Sequence, residues 1–361
     1  MQILLFIGVL FVLVLVHEWG HYFVAKLSKM RVDEFGIGFP PRLFGWKKGE
    51  TLYSFNLIPL GGFVKIHGED ASEEPSEDSG RAFSSRPLYM QALVLIAGVT
   101  MNILFAWLLF TVAFALGTQS GVAEENASDQ ARLVVVSVMP GSPAEEAGVQ
   151  SGDVIVSVAA DTNEMPAKLV PSSVSPFIQS HDRVALAYER NDEMFNVTVD
   201  TEKGIAQDDP EKKIIGITMG LVEEVRKPIH VAAYDAGVYT VQSIGAIAVG
   251  LGALLYDAVR FEADFSSVAG PVGIAGLVGD AASFGLTSLL VFTAFISLNL
   301  AVINLLPFPA LDGGRLLFVA IEAVKGSPVP PKFAQVMNGV GFILLITLML
   351  FVTFNDIAKI I

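Results

Sequence analysis

Long stretches without a charged side chain alternate along this sequence with segments in which apolar and polar residues trade places every one or two positions. Residues 1–16, 87–123, 281–311 and 333–355 contain no Asp, Glu, Lys or Arg. A helix needs about 20 mainly apolar residues to cross a bilayer core of roughly 30 Å. The last three stretches are long enough to span, and the first runs on into His17. These predict four transmembrane helices. The opening run lacks a basic n-region and a small-residue cleavage site, and reads as a mature helix, not a leader. A further charge-free stretch, 236–256, is rich in Gly and Ala and carries Gln242 and Ser243. Its flanks Asp235, Asp257 and Arg260 suit an interfacial helix lying along or partly within the membrane.

Between the first two spans the pattern changes to short apolar runs. Residues 51–58 and 63–66 read as strands joined by Pro59-Leu60-Gly61-Gly62, a hairpin signal. Both are apolar for a loop, so a membrane-dipping β-hairpin over 51–66 is expected, its backbone satisfied by protein or water. The acidic, Ser/Pro-bearing segment 69–78 that follows reads as flexible.

The region after the second span carries period-two and turn signals. A strand over 133–138, a short Pro-started helix from Pro143, a Gly148 stop, a Gly152-Asp153 turn and a strand from Val154 are expected in order. Further strands fall at 183–189 and 195–199, and a helix at 171–179. The passage 141–155, GSPAEEAGVQSGDVI, resembles the PDZ domains of bacterial membrane and periplasmic proteases, and about 100 residues give room for one such domain.

The fold class expected is therefore a polytopic α-helical membrane protein with an inserted extracytoplasmic α+β PDZ-like domain. Its parts are a membrane core over 1–117, the PDZ-like domain over 125–225, a membrane-associated helical segment over 230–265, and the remaining core over 270–361. Lys26, Lys29, Arg31, Arg81 and Arg86 flank the first loop and make it cytoplasmic, whereas no Lys or Arg follows the second span until Arg132.

Composition agrees. Of the 361 residues, 52% are hydrophobic and only 17% charged, outside the usual range for a soluble domain. The net charge of −14 is concentrated between residues 119 and 228, where 19 acidic residues face 9 basic ones. That excludes nucleic acid as a partner. With no cysteine, disulfides and thiolate metal sites are impossible, so a metal here must be held by nitrogen and oxygen.

Candidate chemistry begins at His17-Glu18-Trp19-Gly20-His21. Residues four apart on a helix share a face with Cβ atoms about 6 Å apart, so both imidazoles can reach one Zn²⁺. Glu18, turned about 100° from His17, can take a proton from water activated there. Two His and a carboxylate are costly in an apolar span and mark function by default. A catalytic zinc usually has a third protein ligand. The best candidate is Asp312, in the run 304–314, NLLPFPALDGG, where Pro307 and Pro309 break the helix and a Gly pair permits close approach. The first helix ends on the cytoplasmic side, and only if 236–256 does not cross completely does Asp312 return to that side. Asn102, inside the second span, is expected to bond another helix or the site region. His67, His181 and His230 read as ordinary polar residues, and Gly270-Pro271-Val272-Gly273-Ile274 as a turn of unclear chemistry.

HEWGH, the PLGGFVKIHGED region, AGVTMN, the PDZ-like passage, GPVGI and NLLPFPALDGG together resemble the site-2 protease family of intramembrane zinc metalloproteases, of the bacterial regulator-of-sigma-E protease type, with one PDZ domain. The resemblance covers nearly the whole chain. It implies one Zn²⁺ on His17, His21 and Asp312, with Glu18 as catalytic base. It implies substrate binding by Asn304, Pro307 and Pro309, and by Gly61 and Gly62 through an added strand. The implied partners are the lipid bilayer and single-pass transmembrane substrates already cut once, such as anti-sigma factors or remnant signal peptides; no oligomer is implied. The implied location is the bacterial cytoplasmic membrane, with the active site toward the cytoplasm. An inactive scaffold is disfavoured by the intact Glu18, and a zinc transporter by the PDZ-like passage.

Overall fold

The computed structural model describes every residue except 1, 70–78, 163, 191–192, 204–211, 261, 263–268 and 361. The chain forms two compact units, Phe114–Lys227 and the remainder.

The larger unit is built of apolar helices: α1 (Gln2–Leu27), α2 (Leu88–Leu116), α5 (Ile229–Val259), α6 (Pro271–Ser283), α7 (Leu286–Leu305), α8 (Asp312–Lys325) and α9 (Pro331–Ile360). Among the described residues five of these, α1, α2, α5, α7 and α9, are long and apolar enough to cross a membrane by length and composition. The additional member is α5, a single continuous helix of 31 residues in the helical segment expected over 230–265. Its first half is anchored. Ala232, Ala236, Thr240 and Ser243 are buried, Trp107 donates to the Ala233 carbonyl at 2.9 Å, and Tyr239 meets Phe110 and Phe295 edge to face.

GPVGI does not form the turn expected of it. Pro271 opens α6 at a position where its missing N–H costs nothing, and the backbone N–H groups of Gly270 and Gly273 donate to the buried Asp356 carboxylate of α9 at 3.1 and 2.8 Å. A carboxylate at a helix start answers both the orphan donors and the helix dipole. α6 then packs, through Ala275 and Val278, against Phe6 and its neighbours near the start of α1.

Residues 32–66 form two long bent strands, β1 (Val32–Lys48) and β2 (Thr51–Ile66). The register departs from the expected hairpin. Residues 51–58 and 63–66 do not pair with each other, because residues 34–37 of β1 lie between them, opposite 52–55 on one side and 62–65 on the other. This leaves the stretch 61–66 of β2 as one outer ladder of the sheet, and residues 42–48 of β1 as the other. The turn at Glu50 is clamped by Lys26 at 2.7 Å and by both terminal nitrogens of Arg81 at 2.7 and 2.8 Å. Beneath it, Ala25, Met30, Val32, Ile66, Phe83, Val94, Leu95 and Val319 make one buried cluster from α1, both strands, α2 and α8. The acidic segment 69–78 lies, Glu69 apart, outside the described residues.

The smaller unit is a six-stranded sheet of order β3-β8-β4-β5-β6-β7. The strands are β3 (Thr118–Val122), β4 (Arg132–Val138), β5 (Val154–Ala160), β6 (Arg183–Arg190), β7 (Glu193–Asp200) and β8 (Ile217–Val225), with helices α3 (Pro143–Glu146) and α4 (Pro171–Ser180). Alternate residues of β4, β5 and β6 point inward and join Val174 and Ile178 of α4 in one core. The turn signals act as their chemistry dictates: Ser142 caps α3, Glu145 reaches back to the Gly141 N–H at 2.6 Å, and Gly148 takes a positive φ of 81°. Asp153, 1% exposed, accepts from Arg190 at 2.6 and 2.7 Å and from the Gln150 N–H at 2.8 Å. That bond and the ion pair hold the guanidinium charged, raising its pKa. The unit is wider than the expected 125–225 because it takes in β3.

Candidate metal centre

The second half of α1 carries His17 and His21 on one face, both buried, with Nε2 atoms 3.1 Å apart. Asp312 arrives from 291 positions beyond His21 through a sharp turn. α7 ends at Leu305, the Pro-bearing stretch 306–311 reverses direction, and α8 begins at Asp312 itself. The turn is so tight that a Cβ on Gly313 would collide with the Leu306 carbonyl, and one on Gly314 with the Phe308 carbonyl. The first turn of α8 thus puts the carboxylate at the helix's positive end. Asp312 Oδ2 lies 3.0 Å from His17 Nε2 and 3.3 Å from His21 Nε2.

Asp312 Oδ2 is buried without a hydrogen-bond partner. Ligands at 2.0–2.2 Å from a tetrahedral ion are separated by about 3.3 Å, so the spacing fits a cation better than a hydrogen-bond network. Among the described residues this is the cluster of His and acidic side chains able to hold a metal, its ligand atoms all within 4.8 Å of one another.

α2 supplies the wall. A Cβ at Gly98 would strike both imidazoles, so only glycine lets the helix pass this close. His21 Nδ1 lies 2.8 Å from the Val94 carbonyl, which can only accept, so this nitrogen carries a proton and, in the neutral imidazole, leaves Nε2 its lone pair. His17 Nδ1 lies 3.4 Å from the carboxamide of the fully buried Asn102, whose Oδ1 has no partner. Asn304, at the end of α7, has its amide 3.5 Å from His17 Nε2.

β2 forms the opposite wall. A Cβ at Gly62 would sit 3.7 Å from Glu18 Cγ, and one at Gly61 3.5 Å from Val14. Pro307 and Pro309 lie in the reversal before Asp312; the Ala310 N–H is held by Asn338 of α9 at 3.3 Å. His67 pairs with Asp33 at 3.1 Å and is no part of the cluster. His181 bonds the Phe177 carbonyl at 2.8 Å. Sequence reasoning missed the ion pair between Glu69, just past β2, and Arg315, one turn after Asp312. Nothing in the sequence singles the pair out, because Glu69 opens an acidic run and Arg315 closely follows Asp312.

Buried imidazoles and a carboxylate from apolar helices, with a glutamate beside them, define a membrane metallopeptidase. Residues 5–348 match Peptidase family M50. The chain is 36% identical to a provisionally named zinc metalloprotease of Clostridium perfringens, over 96% of this chain and 95% of that protein. It is 28% and 30% identical to zinc metalloproteases RasP of Shouchella clausii and Geobacillus kaustophilus, over at least 98% of each chain. The chain belongs to Peptidase family M50, the site-2 proteases, and is a zinc metalloprotease with multiple membrane helices.

Proposed function

We propose that this chain hydrolyses peptide bonds within the transmembrane segments of other membrane proteins, with His17, His21 and Asp312 holding the zinc and Glu18 as general base. The observation that carries the reading is the buried Asp312 Oδ2, unpartnered and within 3.3 Å of two imidazole nitrogens. The metal, when bound, supplies Lewis-acid polarisation of the scissile carbonyl and makes water a nucleophile near neutral pH. Glu18 takes the proton from that water and delivers it to the leaving amine. Asn102 orients His17: turning its carboxamide by 180° offers the unpartnered Oδ1 to the Nδ1–H and fixes the tautomer. Asn304, with Pro307 and Pro309, steadies substrate beside His17. The outer ladder at Gly61 and Gly62 receives an unwound substrate as an added strand, because a helical peptide bond is shielded by its own hydrogen bonds.

We read the core as four-spanning, with α5 entering the membrane without completing a crossing. α5 starts at Trp107 near the end of α2, and α6 packs beside Phe6 near the start of α1. In a core where α1 and α2 cross in opposite directions, these are the same side. The Phe114–Lys227 unit is then a PDZ-like domain outside the bacterial cytoplasmic membrane, supported by the strand–helix–turn–strand order at 132–160. The substrates are single-pass proteins trimmed by an earlier cut, of the anti-sigma factor or remnant signal peptide kind.

The test is Glu18→Gln. Bound zinc should stay at the wild-type level while cleavage of a transmembrane substrate falls by about 10²–10⁴-fold or more. Wild-type cleavage by this variant would remove Glu18 from the chemistry.

A further inference from the structure

The two outer strands of the smaller unit are unlike each other. β7 pairs with β6 over eight residues, Arg183↔Asp200 to Arg190↔Glu193. β3 has five, Thr-Gln-Ser-Gly-Val, of which only the two ends are half-buried. Yet this short polar strand takes the outer edge of β8 over its last five residues, in antiparallel register from Thr118↔Val225 to Val122↔Leu221. The other edge of β8 is taken by β4.

A second attachment follows at once. Glu124 accepts from the Ser172 hydroxyl at 2.5 Å and from the Ser172 N–H at 3.4 Å, at the start of α4. Residues 118–124 are therefore held to β8 by main-chain pairing and to α4 by one carboxylate. An extended peptide added to a sheet edge beside a helix is held in this manner, with its backbone giving affinity and alternate side chains giving choice. The strand also leaves room unused: a Cβ at Gly121 would meet nothing within 4 Å.

We propose that the outer edge of β8 is a strand-adding site for an extended peptide, and that residues 118–122 occupy it in cis as an exchangeable ligand. A peptide binds by displacing β3. The occupant it fits resembles β3 itself: neutral and polar in the middle, where Glu223 and Glu224 lie opposite, and apolar at the end that faces Leu221. The proposal rests on strand order alone. Its failure would leave the zinc site and the cleavage reading untouched, because those residues belong to the other unit.

The probe is a fluorescein-labelled peptide of residues 117–123, titrated by anisotropy into the full-length protein in detergent, to millimolar concentration. Proline cannot donate to a ladder, so Ser120→Pro with Gly121→Pro should free the edge and bind the probe at least tenfold more tightly than wild type. The chain has no cysteine, so Ser120→Cys with Glu223→Cys creates one possible disulfide, across a paired position. Oxidised, this variant should bind at least tenfold more weakly than when reduced. A folded proline variant that binds no more tightly than wild type overturns the proposal. So do equal affinities, or no binding at all, in the oxidised and reduced cysteine variant, whether or not the proline variant folds.

Discussion

Asp153 is an aspartate withdrawn from water and Asp312 one with a single oxygen withdrawn, one in each unit, and they are treated in opposite ways. Asp153 is given a guanidinium and a backbone N–H, so both its oxygens are satisfied. Asp312 is given two imidazole nitrogens at 3.0 and 3.3 Å, and its Oδ2 stays without a hydrogen bond. A buried carboxylate with every partner supplied is scaffold. One left short while other electron-pair donors crowd it marks the place of a cation, because burial without compensation costs several kcal/mol. The same test sorts Asp356, satisfied by the start of α6, with the scaffold.

This contrast can be broken most directly by matched amide variants. Asp312→Asn should lower zinc affinity by more than the 10–100-fold typical of losing a supporting outer residue, with the unfolding of the smaller unit unchanged; titration against a competing chelator measures it. Asp153→Asn should do the reverse, leaving zinc in place and destabilising its own unit by up to about 3 kcal/mol, because Arg190 loses its countercharge but keeps partial access to water. Zinc loss in the second variant and retention in the first would invert the assignment. The contrast is sharpened by Asn102→Leu, which removes the acceptor for His17 and should weaken zinc by about 10–100-fold. Asn102→Asp restores an acceptor and should recover most of that loss; equal weakening in both would make Asn102 a matter of packing.

The smallest effect belongs to Glu50, whose pKa is lowered to about 2, first by hydrogen bonds from Arg81 and then by Lys26. A carboxylate depressed in the folded state adds stability above its ordinary pKa near 4.5, and that stability is lost as pH falls through about 2. Glu50→Gln should therefore lower the melting temperature near pH 6 but not near pH 2. The pair is solvent-accessible, so the difference should stay within about 1 kcal/mol.

Much of this was legible in the residues. The spacing of His17 and His21 needs only helix geometry, and the turn chemistry around Pro143, Gly148 and Asp153 is local, so the elements from β4 to β7 fall where expected. β1 was missed because Gly36, Gly38, Pro40, Pro41 and Gly45 interrupt any strand signal, and its pairing is decided by partners up to 34 positions away, as in Val32↔Ile66. β8 was missed for a similar reason. Its sequence, ITMGLVEEV, alternates poorly, and its place is set by β3 and β4. α5 was expected as a helix within 230–265, and its small residues, with Gln242 and Ser243, thin the apolar signal from which its length is read. Glu69 and Arg315 could not be joined by any one-dimensional rule, being 246 positions apart.

That last pair has a mechanical meaning. It ties the chain leaving the outer ladder of β2 to the helix turn that carries Asp312. Any motion that parts these two walls to admit a polypeptide must either rupture this part-buried charge pair or drag the aspartate away from the imidazoles. On the proposed reading of the site, width of the entrance and integrity of the metal cluster are consequently not independent quantities: a cleft pulled open with the tie intact is a cleft that cannot cut.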